Sequence, residues 1–136
     1  MDATDRFAIA DWLARQSLAG LGPEDLLAGF AARLDAAGVP LLRASASLQS
    51  LDPVVGAVAY RWWRGGHGPE RQAYARPIEG NAGEDWHQSP FRALYESADT
   101  RLRLTPGAPA AAAFPLLARL AAAGATEYLA VKTHFA

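Results

Sequence analysis

The chain has no cysteine. Disulfides, thiolate metal sites and cysteine nucleophiles are therefore excluded, and a reducing, cytoplasmic setting is expected. Lysine is nearly missing too: Lys132 is the single one, and the other basic residues are arginine. Set beside the abundance of alanine, this reads as base composition of the gene rather than phosphate recognition. No charge of one sign dominates. The net charge is −1, whereas a protein that tracks a nucleic-acid backbone carries a marked positive excess. No apolar run approaches the ~20 residues of a membrane helix. The start of the chain carries Asp2 and Asp5 and no basic segment with an apolar core behind it, so no signal peptide is expected there. Neither nucleic acid nor membrane is an expected partner.

What remains is a globular composition, 51% hydrophobic and 20% charged, and its 136 residues suit one domain with a real core. The stretch from Leu41 to Arg64 organises it. Leu42, Ala44, Ala46 and Leu48 alternate at period two, and so do Val58, Tyr60 and Trp62; Leu51-Asp52-Pro53 between them is a chain reversal. This predicts an antiparallel pair with one face on a core.

Upstream, residues 5–18 carry Ile9, Trp12, Leu13 and Gln16 on one helical stripe. Pro23 opens a second helix, with Glu24 and Asp25 at its positive end. Leu26, Leu27, Phe30, Ala31 and Leu34 form its stripe, and Gly38 and Pro40 end it. Downstream, a weaker strand is expected from Glu70 to Ile78, and Glu79 to Asp85 is a polar, glycine-rich loop. A short helix is capped by Ser89 with Pro90 at its first position. Strands are expected over 101–105 and 127–135, with a helix from Pro115 to Gly124 between them. The predicted fold class is α+β: an N-terminal helical hairpin (1–38), then an antiparallel sheet with one or two crossing helices (39–136), of the kind PAS and GAF sensor domains use. The alternating segment at the end of the chain is expected to dock between earlier strands, to be covered by a partner, or to belong to a longer protein truncated here.

Little in the chain signals chemistry. His67, His87 and His134 are far apart, with no metal-ligand spacing. Gly65-Gly66-His67-Gly68 lacks the remaining positions of a phosphate loop and reads as a turn. Glu24-Asp25 suits a helix start, and Glu84-Asp85 a solvated loop. No GxSxG surrounds a serine, and Ser89 reads as a cap. No catalytic residue, metal or cofactor is expected. The aromatics are more suggestive. Trp62 and Trp63 are strand neighbours and point to opposite faces. The residue reading sets a core Trp with a stacked arginine, Arg61 or Arg64, against a ligand pocket or dimer contact formed by Trp62, Trp86, Ser89, Phe91 and Tyr95. On the first helix, whichever face packs inward leaves Phe7 or Trp12 outside, so these two are the candidate dimer contacts.

Several motifs occur together: Leu51-Asp52-Pro53, Arg61-Trp62, Ser89-Pro90-Phe91 and Gly124-Ala125-Thr126-Glu127-Tyr128. In this order, and with the segments around them from Trp12 to Phe135, the chain resembles the N-terminal region of proteobacterial class III adenylate/guanylate cyclases. In that family a GAF-like regulatory region precedes the catalytic domain. The resemblance implies a GAF-like sensory module without catalysis of its own, acting through homodimerisation on a cyclase domain in cis or trans, with a small-molecule effector as a further partner. The metal-binding Asp pair, the adenine-selecting Lys and the transition-state Arg of a class III catalytic domain have no counterpart in this chain. A free-standing small-molecule-binding protein, with a pocket between the sheet and the Trp86–Tyr95 segment, is the alternative expectation.

Overall fold

The computed structural model describes residues 1–49, 51–75 and 86–133. The chain divides into two compact units, Met1–Arg76 and Pro77–Ala136, and each is described by itself.

The first unit opens with helix α1, Ala3–Leu18. It starts two residues before the predicted position because Asp2 caps it. The Asp2 carboxylate accepts the Asp5 N–H at 2.9 Å, and the Asp5 carboxylate accepts the Asp2 N–H at 3.3 Å. This reciprocal box satisfies donors that the first helical turn leaves unpaired. Helix α2, Pro23–Ala36, starts at its proline and ends before Gly38, whose φ of 87° is left-handed. The predicted stripes are the inward faces. Ile9 and Ala31 are buried, and Trp12, Leu13, Gln16, Leu26, Leu27, Phe30 and Leu34 are half-buried.

Strands β1 (Arg43–Gln49), β2 (Val55–Trp63) and β3 (Glu70–Ala75) follow, antiparallel and in spatial order β1-β2-β3. The reversal between β1 and β2 has a local cause. Asp52 Oδ1 accepts the N–H groups of both Val54 and Val55, at 2.7 and 3.0 Å, which folds the backbone around the side chain. The register pairs Arg43 with Trp63, Ala44 with Trp62 and Ala46 with Tyr60. Trp62 therefore shares a face with Tyr60, Val58, Ala44 and Ala46, and Trp63 shares the other with Arg61, Ala59 and Ser45. Arg64 continues the ladder through its N–H to the Leu42 carbonyl, and its side chain pairs with Asp35 of α2. That ion pair ties α2 to the end of β2. The Ile78 end of the expected third strand and the Glu79–Asp85 loop lie outside the described residues.

The second unit holds helix α3 (Pro90–Glu96), strand β4 (Arg101–Leu104), a 3₁₀ turn over Pro109–Ala111, helix α4 (Pro115–Ala122) and strand β5 (Tyr128–Val131). Strand β5 pairs antiparallel with β4, Leu102 opposite Ala130. Leu94, Leu117, Leu120, Ala111 and Ala130 are buried. The fold is thus α+β with antiparallel pairing throughout. Its described strands form a three-stranded and a two-stranded sheet rather than one continuous sheet. No helix among the described residues is long and apolar enough to cross a membrane.

Candidate functional site

The helical hairpin resolves the choice between Phe7 and Trp12. Trp12 turns inward, onto a gap that Gly29 leaves in α2. A Cβ at position 29 would lie 2.3 Å from Trp12 Cη2 and 2.7 Å from Cζ2, well inside contact distance. The Arg33 guanidinium lies over the indole, 3.7 Å from its centroid, and donates to the Gly29 carbonyl at 3.1 Å. So one turn of α2 supplies both a floor without a side chain and a cationic lid. Phe7 then faces outward, 77% exposed, and Leu18 is 90% exposed. The sequence pattern shows an inward stripe containing Trp12. It does not show Gly29, because that juxtaposition arises only when two helices meet.

On the sheet, the two tryptophans are both half-buried. Trp63 is faced by Arg43, whose guanidinium carbon lies 5.3 Å from the ring centroid. The stacked arginine expected beside the pair therefore comes from across the hairpin, from the register partner of Trp63, and not from the flanking Arg61 or Arg64. Those two are engaged elsewhere. Arg61 donates to Gln72 Oε1 at 2.7 Å and to the Tyr74 hydroxyl at 2.6 Å, and that hydroxyl donates to Gln72 Oε1 at 2.9 Å. This closed triangle fastens β3 to β2. Arg64 donates to the Leu41 carbonyl at 2.7 Å besides its pair with Asp35.

Four of the five candidate ligand residues belong to the second unit, and Trp62 belongs to the first. Trp86 is half-buried, and its carbonyl accepts the Ser89 hydroxyl at 2.8 Å. The Ser89 oxygen in turn accepts the Arg92 N–H at 3.1 Å. Its donor and acceptor are thus spent on starting α3, which is the capping role expected of it. Phe91 is half-buried, and Tyr95 is 53% exposed. Arg92 reaches from α3 to His87 Nδ1 at 2.8 Å and to Glu96 at 2.9 Å.

The far end of α3 carries a feature the sequence does not advertise. Lys132, just beyond β5, donates from Nζ to the Leu94 carbonyl at 2.9 Å and to the Ser97 carbonyl at 2.6 Å. The ammonium joins the Ser97 N–H and hydroxyl, which also donate to the Leu94 carbonyl at 3.2 and 2.9 Å, and lies at the negative end of the helix dipole. The single lysine of the chain thus has a structural task, 38 residues in sequence from Leu94.

Two further observations bound the chemistry. Among the described residues, no three side chains of His, Asp and Glu converge. An open groove of about 210 Å³ runs between α1 and α2, lined by Asp5, Ala8, Ile9, Arg33, Ala36 and Ala37. It is below the roughly 300 Å³ where ligand pockets begin. Phe7 and Leu18 are exposed on the opposite side of α1. Comparison with family models, with curated proteins and with solved structures found no match for this chain.

Proposed function

We propose that this chain is a non-catalytic, GAF-like regulatory module that acts by self-association on a class III cyclase catalytic domain, in cis or in trans. The observation that supports the reading is the outer face of α1. A helix whose inward side is already filled by Trp12 on Gly29 still presents Phe7 and Leu18, 77% and 90% exposed, to its surroundings. Large apolar groups that remain outside after the hairpin has closed are what an assembly surface requires. The helical hairpin ahead of an antiparallel β1-β2-β3 sheet supports the GAF-like assignment, and the lack of cysteine supports a cytoplasmic setting.

The mechanism follows from where class III active sites form, which is between two catalytic domains. A module that holds two copies together fixes the separation and rotation of whatever each copy carries. If it has two packings of similar free energy, an effector that prefers one shifts the population and with it the activity. The test is turnover by a class III catalytic domain joined after residue 136, with the native chain and with Phe7→Asp. The reading predicts that Phe7→Asp lowers cyclic nucleotide production at low enzyme concentration and that raising the concentration recovers it. Equal turnover at every concentration contradicts it.

A further inference from the structure

We infer that α1 pairs with α1 of a second copy as a parallel two-stranded seam; this rests on the self-association reading and specifies the surface and its direction. Ala3, Phe7, Ala10, Ala14 and Ser17 are all exposed and follow one another at steps of four, three, four and three. That is the spacing of the inner positions of a coiled coil. They lie opposite Ile9, Trp12, Leu13 and Gln16, which face the hairpin. The alanines and the serine let two helix axes approach closely, and Phe7 supplies one large layer against its own copy.

The flanking charges set the direction. In a parallel pair, the residue just before an inner position faces the residue five places later on the other helix. Arg6 then meets Asp11 of the second copy, twice by symmetry. In an antiparallel pair like flanks face each other: one register opposes Asp11 to its own copy, and the register one heptad away sets Arg6 and Asp11 beside uncharged residues. The parallel arrangement is complementary in charge; neither antiparallel register pairs Arg6 with Asp11. The components are available. The Arg6 side chain forms no ion pair among the described residues. Asp11 holds Arg15 at 2.7 Å on an exposed surface through Oδ2, so its other oxygen is open to Arg6 of the second copy. A seam of about two heptads buries less than the ~1,200 Å² of a standard stable interface, so the dimer is reversible.

The absence of native cysteine makes the test clean. Ala3→Cys and Ala14→Cys are made singly in the full chain and oxidised mildly at tens of micromolar, alongside sedimentation of the native chain and circular dichroism of each variant. In a parallel seam each thiol meets its own copy, and both variants give covalent dimers. In a fully overlapped antiparallel seam the two thiols introduced by Ala14→Cys would be displaced about 10 Å along the axis, roughly seven residues at ~1.5 Å each, and neither variant would link to itself. Arg6→Glu should weaken dimerisation roughly five-fold, and adding Asp11→Arg should restore it. A native chain that sediments as a dimer while both single-cysteine variants stay monomeric overturns the parallel seam and leaves self-association standing. Linking only when Ala3→Cys is mixed with Ser17→Cys has the same meaning. A native chain that is monomeric throughout overturns both.

Discussion

Replacing Gly29 by alanine separates the geometry of the hairpin from ordinary helix preference, because the two act with opposite sign. Gly29 lies inside α2 without left-handed backbone, so alanine fits its conformation, and at an unobstructed position the change would stabilise by about 1 kcal/mol. Here the added Cβ would meet Trp12 Cη2 at 2.3 Å and Cζ2 at 2.7 Å. The indole is a rigid plate held from above by Arg33 at 3.7 Å, so it must tilt as a body and break that stack. Overpacking of this kind costs about 1–3 kcal/mol. Net destabilisation of about 1 kcal/mol follows, a fall in Tm of roughly 4 °C for a chain of this length. The control is the same change in a Trp12→Ala background. With the ring gone, Gly29→Ala should stabilise by about 1 kcal/mol, so the coupling between the two positions is about 2 kcal/mol. Chemical denaturation followed by circular dichroism reads all four corners of the cycle. If Gly29→Ala stabilises equally in both backgrounds, Trp12 does not rest on Gly29, and the outward placement of Phe7 loses its basis.

Lys132→Met keeps the aliphatic stem but removes two charge-assisted bonds at the end of α3, 2.9 and 2.6 Å long. Thermal denaturation should show a loss of about 1–3 kcal/mol; no change would mean the ammonium faces water. Asp52→Ala removes the acceptor that serves the N–H groups of Val54 and Val55. It should cost about 1 kcal/mol and raise amide exchange at those two residues, while Asp52→Asn should retain most of both.

Local features of the fold were legible in the sequence. Pro23 with Glu24 and Asp25, the left-handed Gly38, and Ser89 ahead of Pro90 each mark a helix end by chemistry that involves only near neighbours. The inward stripes of α1 and α2 were legible for the same reason, since periodicity reports which side is apolar. What the sequence does not show are features made by distant residues. Gly29 matters because of Trp12, 17 positions earlier. Arg43 faces Trp63 because the hairpin register brings them level, and the adjacent Arg61 and Arg64 were the natural but incorrect choice. Lys132 caps a helix that ends long before it. The division of the strands into two sheets is also non-local, because alternation identifies a strand but not its neighbour. Of the candidate residues, Phe7 gains the most from the structure: its exposure follows only once Trp12 is known to be inside.

Self-association through the outer face of α1 is most directly tested by sedimentation equilibrium of the 136-residue chain over a range reaching tens of micromolar, native and Phe7→Asp. The native chain should move from 14.5 kDa toward twice that mass as concentration rises. Phe7→Asp should remain at the monomer mass with an unchanged melting curve, since an exposed substitution costs at most about 0.5 kcal/mol. A native chain that stays strictly monomeric, or a Phe7→Asp variant that dimerises as well as the native chain, would contradict the account.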